Sequence, residues 1–98
     1  MVVNYYKPTM DSYLQKKAYF QSRRGLQELD LILLPFVKNN FVDLDHKMKL
    51  SYLTLLNEDD VMLLDWLLEK VVPPKKLSRI VNLVIKKIIT NEFAPFIQ

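Results

Sequence analysis

Apolar residues in this chain recur every three or four positions, in stretches parted by short polar or proline-containing breaks, and sustained two-residue alternation is absent. That spacing predicts helices and argues against strands. Pro8 and Thr9 precede Asp11 and Ser12, whose side chains can accept from the free N–H groups that open a helix. A first helix is predicted from there to about Ser22, carrying Tyr13, Leu14, Ala18 and Phe20. Gly25, the only glycine, is predicted to end it. The second segment sets Leu26, Leu29, Leu33, Phe36 and Val37 at helical spacing, and Leu31, Ile32 and Leu34 widen the stripe until little polar face is left. It is predicted to be the central, most buried helix.

Pro35 lies inside that pattern. It has no N–H to donate and its ring crowds the carbonyl four residues back, so a kink or an early end is predicted there. Asp43 is the predicted cap of a third helix holding Met48, Tyr52, Leu55 and Leu56, with Leu44 stapling its start and Asn57 closing it. The acidic turn Glu58, Asp59 and Asp60 suits the positive amino end of a fourth helix, with Leu63, Leu64, Trp66, Leu67 and Leu68, which the "VVPP" run at 71–74 is predicted to terminate. Pro74 fits the first position of a fifth, amphipathic and half-exposed helix. Its apolar stripe is Leu77, Ile80, Val81, Val84, Ile85 and Ile88, opposite Lys75, Lys76, Lys86 and Lys87. The fold class read from this is all-α: a single-domain five-helix bundle with short turns, with loosely packed ends at 1–10 and 91–98. The tail breaks at Pro95, although Phe93, Phe96 and Ile97 are apolar.

With 98 residues, half of them hydrophobic, the chain can bury one core but not two. The absence of cysteine excludes disulfides, thiolate metal sites and a cysteine nucleophile, and fits a reducing compartment. The longest apolar run, Leu31 to Val37, falls far short of the roughly 20 residues that a membrane span needs. The first residues show neither a signal nor a transit pattern, so the chain is expected to stay where it is made. A formal net charge of +3 is as easily a lysine-bearing surface as an anionic partner.

Candidate chemistry is mostly excluded. His46 has no second histidine to form a metal pair, and a single glycine cannot build a phosphate loop. The acids at 43, 45 and 58–60 sit at predicted helix starts, where carboxylates are stabilised without any catalytic role. No catalytic residue and no metal site is therefore assigned. Arg23 and Arg24, and again Lys75, Lys76 and Arg79, form basic clusters, with Tyr5, Tyr6, Tyr13 and Tyr19 near the first. Such a mix can stack on and pair with nucleic acid, and a small basic helical nucleic-acid-binding protein is the alternative function. Solvated faces weigh more, because no helix carries a dense basic stripe.

The corner around Gly25 is the exception. A helix-ending turn explains Gly25, and Glu28 could reach back to the N–H groups opening the next helix. That account does not require Phe20, Arg23 and Arg24 on the same corner. A partner backbone or planar ligand could equally approach a surface with no side chain at its centre. The residues by themselves leave both readings open.

Two blocks add a resemblance. "SRRGLQELDLILLPFV", from Ser22, and "LTLLNEDDVMLLDWLL", from Leu53, closely resemble the FAD assembly factors of succinate dehydrogenase, a small all-helical family marked by an R-G-x-x-E motif. Here the motif is Arg24, Gly25 and Glu28, continuing as Leu29 and Asp30, and the second block supplies Leu55, Leu56, the acidic turn, Leu64, Trp66 and Leu67. The resemblance covers roughly Tyr19 to Leu68. It implies an accessory protein, not an enzyme, which binds the flavoprotein subunit of succinate dehydrogenase, and in bacteria the related fumarate reductase. Such a protein promotes covalent attachment of FAD to a histidine of that client. FAD would then be the client's cofactor, with none bound stably here, and nucleic acid and membrane insertion drop out as partners. The implied docking residues are Phe20, Arg23, Arg24, Gly25, Glu28 and Asp30, on a chain expected to be monomeric. The implied place is the cytoplasm of a bacterium, or the mitochondrial matrix of a eukaryote.

Overall fold

The computed structural model describes residues 9–89 of the chain. Five α-helices follow one another: α1 (Met10–Ser22), α2 (Gln27–Asn39), α3 (His46–Leu55), α4 (Asp60–Leu67) and α5 (Ser78–Ile89). Short 3-10 turns over Phe41–Asp43 and Lys75–Leu77 lead into α3 and α5. Among the described residues there is no strand, and the all-α, five-helix class is as the spacing predicts. The chain ends expected to be loose lie outside the described residues, except that Thr9 and Met10 belong to the start of α1.

Helix starts follow capping chemistry, with shifts from the predicted positions. Thr9, not Asp11 or Ser12, caps α1: its hydroxyl accepts from the Ser12 N–H at 3.0 Å. Asp45, not Asp43, caps α3 through the Met48 N–H at 2.8 Å. Asp43 closes a 3-10 turn instead, because Phe41 is fully buried and pulls that segment inward before the helix can begin. Asp59 caps α4 through the Met62 N–H at 3.1 Å, as the acidic turn predicts. Each such bond satisfies a donor that has no partner inside the helix.

Helix ends depart further. α1 stops at Ser22, three residues before Gly25, with Arg23 in extended backbone, so the glycine shapes the following turn rather than ending the helix. α2 runs past Pro35 to Asn39, and no early end occurs. Proline inside a helix costs about 3 kcal/mol. Burying Phe36 and Val37, both fully enclosed, offsets that cost. α4 ends at Leu67, well before the "VVPP" run. Lys70 takes a left-handed φ of 59°, and the Val71 N–H closes back on the Asp65 carbonyl at 2.8 Å. Pro74 precedes the 3-10 turn rather than opening α5 itself.

α2 is central, packing on α1, α4 and α5, while α3 joins α1 to α5. Its stripe is narrower than predicted, since Leu31 is 51% exposed. Leu29, Leu33, Phe36 and Val37 of α2 meet Tyr52 and Leu55 of α3, Leu63 and Trp66 of α4, and Ile80, Val81 and Val84 of α5 in one core. The rings of Phe36 and Phe41 lie 5.2 and 5.7 Å from that of Tyr52. Lys49 of α3 is buried, its ammonium 3.4 Å from Asp11 Oδ1 on α1 and 5.8 Å from the Phe41 ring centroid. α5 is amphipathic as predicted, with Arg79 and Lys86 exposed, but Lys75 and Lys76 are exposed in the 3-10 turn before it and Lys87 is half-buried.

Candidate functional site

The turn between α1 and α2 is built by two residues that face inward. Ser22, fully buried at the end of α1, shares a 2.6 Å hydrogen bond with the Tyr52 hydroxyl and so fixes α1 on α3. Burial pushes the Tyr52 phenol well above the ordinary tyrosine range, against the smaller opposing pulls of the Ser22 hydrogen bond and the Arg24 charge. The chain then turns, and Arg24 folds back beneath it. Its Nε donates to Asp60 Oδ1 at 2.8 Å, its Nη1 to the Gln21 and Leu56 carbonyls at 3.0 and 2.9 Å, and its Nη2 to the Glu58 carbonyl at 2.7 Å. The guanidinium thereby ties the α1–α2 turn to the α3–α4 turn, and only 15% of the side chain meets solvent. A rigid planar fork with five donors suits this task, and a lysine could not reproduce it.

Asp30 closes the turn from the other side. Its two carboxylate oxygens accept from the Arg24 N–H at 2.8 Å and the Gly25 N–H at 3.2 Å. This is the work that the sequence assigns to Glu28. The reciprocal cap needs its glutamate at the third helical position, but α2 opens with Leu26 as its cap, which makes Glu28 the second. Glu28 is consequently exposed, and its side chain has no hydrogen bond or ion pair to another described residue.

Gly25 has φ +77°, the left-handed region that L side chains rarely adopt. No atom lies within 4 Å of the place a Cβ would take. Glycine is thus required by the backbone, and the space above it is open. Of the singled-out residues, Phe20, Arg23, Gly25 and Glu28 are exposed, whereas Arg24 and Asp30 face the protein and hold the turn in shape. Phe20 is 69% exposed, edge-on to Tyr19 at 6.1 Å between centroids.

Asp60 and the Leu56 and Glu58 carbonyls escape the sequence reading, because Arg24 reaches them across more than 30 residues and nothing local signals it. The other acids behave as helix-start residues: Asp45 and Asp59 are caps, and His46 follows Asp45 in solvent. Among the described residues, no three His, Asp or Glu side chains converge as metal ligands would. Nor is any helix there long and apolar enough to cross a membrane.

A family described as Sdh5, flavinator of succinate dehydrogenase, matches residues 16–88. That span contains the whole corner and extends beyond the two recognisable blocks into α5. The chain is similar to the FAD assembly factor SdhE of Francisella tularensis subsp. tularensis, at 32% identity over 72% of this chain and 75% of that protein. The protein of the same name from Pseudomonas aeruginosa is 31% identical over 74% of this chain and 88% of its own length. That of Legionella pneumophila strain Lens is 32% identical over 76% and 95%. No solved structure matches the chain significantly.

Proposed function

The chain belongs to the family of succinate dehydrogenase flavinators, and on that premise we propose that it is an FAD assembly factor. It binds the flavoprotein subunit of succinate dehydrogenase, and in bacteria that of fumarate reductase, before the complex is assembled. It promotes covalent attachment of FAD to a histidine of that client. It acts as an accessory protein: the histidine, the flavin methyl group that it attacks and the FAD itself all belong to the client. The setting is the compartment in which the client folds, the bacterial cytoplasm, and the acting form is a monomer.

The observation that carries this reading is the open space above Gly25, on a turn that Arg24 and Asp30 brace from beneath, with Phe20, Arg23 and Glu28 exposed on that turn and the helix ends it joins. A docking face that must hold two domains of a client in one arrangement gains from being rigid beforehand, since less ordering has to be supplied on binding. Holding a nucleophile and its target in a reactive pose can contribute about 7 to 11 kcal/mol to a slow step, without any catalytic group from the helper. Arg23 and Glu28 are the charges available to the client. Arg24 is a positioning residue, its guanidinium already occupied by its own chain.

The test is to produce the flavoprotein subunit with and without this protein, denature it on a gel and read flavin fluorescence in the band. Covalent flavin that depends on this protein is the expected result. Equal fluorescence in both lanes would refute the assembly role.

A further inference from the structure

The outer face of α1 continues the corner into a second feature, which shares Phe20 with the surface at Gly25. Gln15, Lys16, Tyr19 and Phe20 of α1, with Lys38 from the last turn of α2, line an open, mainly apolar cleft of about 520 Å³. Tyr19 is 38% and Phe20 69% exposed, an unusual outlay of aromatic surface for one turn of helix. Lys16 and Lys38 stand at its wall, both exposed, and neither forms an ion pair within the described residues. The acid of α1, Asp11, lies at the far end of that helix beside Lys49, and the acids of α2 lie in its first turn, away from Lys38. Among the described residues the cleft is therefore an apolar seat flanked by two lysines, with no carboxylate in its lining.

We propose that this cleft is a second docking point, which takes an apolar side chain of the client flavoprotein set in an acidic segment. This rests on the assembly role proposed above. The aromatic rings and the aliphatic stems of Lys16 and Lys38 form the walls, and their ammonium groups reach out to carboxylates on either side of the inserted residue. Phe20 lines the cleft and its carbonyl accepts from the Arg23 N–H at 3.3 Å, so the cleft adjoins the turn that carries Gly25. Two contacts on a single rigid face fix the orientation of a client as well as its position, which one contact cannot do. A nucleic acid fits less well, because a phosphate backbone calls for a long cationic track and makes no use of an apolar seat.

The test measures binding of the flavoprotein subunit at low and high salt, with random-sequence single-stranded DNA titrated in parallel. The variants are Lys16→Glu/Lys38→Glu and Phe20→Ala, all at exposed positions, with circular dichroism and melting as fold controls. The double variant is expected to bind the flavoprotein about tenfold more weakly at low salt and to lose most of the salt dependence. Phe20→Ala is expected to weaken binding at both salt concentrations. Wild-type binding that is indifferent to the double variant would overturn the cleft and leave the assembly role standing. Failure of the wild-type protein to bind the flavoprotein at all would overturn both. DNA binding tighter than flavoprotein binding, and lost in the same variant, would overturn the choice of occupant.

Discussion

Arg24 and Gly25 are neighbours with opposite assignments, and substitutions can separate them. Arg24 serves its own chain through four hydrogen bonds, so Arg24→Ala strands the Leu56 and Glu58 carbonyls and is expected to cost about 3 kcal/mol in urea unfolding. Arg24→Lys keeps the charge and loses the fork. If Arg24 acted by charge on the client, the lysine variant would bind normally; as a brace, it is expected to lose both stability and client affinity. Gly25 works differently. Alanine and arginine there share one backbone penalty, about 1 kcal/mol for the left-handed conformation, since neither Cβ meets an atom within 4 Å. Gly25→Ala and Gly25→Arg should therefore melt together, while only the arginine variant blocks the flavoprotein. Equal client affinity for the two would remove the surface above Gly25 from the docking face.

Between elements, the Ser22–Tyr52 hydrogen bond joins α1 to α3 inside the core. The folded-state phenol is raised above its unfolded value near 10. Its contribution to stability is thus fully present below about pH 10 and is lost as the pH climbs beyond it. Tyr52→Phe is expected to cost about 1 kcal/mol at neutral pH by removing the bond. Its urea midpoint should fall less steeply than that of the wild type above pH 10, and parallel alkaline profiles would mean that the phenol does not couple to folding. At the end of α4, Lys70 occupies a left-handed position where glycine would be unstrained. Lys70→Gly is expected to raise stability by about 0.5 to 1 kcal/mol, and an unchanged or lower melting temperature would count against strain at that turn. Neither feature shows in the local pattern, because a tyrosine on an apolar stripe and a lysine before "VVPP" have ordinary explanations along the chain.

For the whole molecule, the chain's periodicity sufficed for the class and the helix order, because each amphipathic stripe must be buried against another and short connections leave few arrangements. The place of the corner was legible too, since a single glycine beside two arginines is a conspicuous departure from the rest of the chain. Which side chains face outward there was not legible. The helix α2 begins one residue later than a cap by Gly25 would have it, and that shift releases Glu28 to solvent and passes its capping work to Asp30. The side chain of Arg24 turns inward because carbonyls more than 30 residues away lie within its reach. Lys38 joins Phe20 at one cleft because α2 returns alongside α1. Periodicity and capping are local interactions, and the sequence alone determines them to within a few residues. The direction of a long polar side chain depends on which distant acceptors packing brings near, and only the assembled bundle decides that.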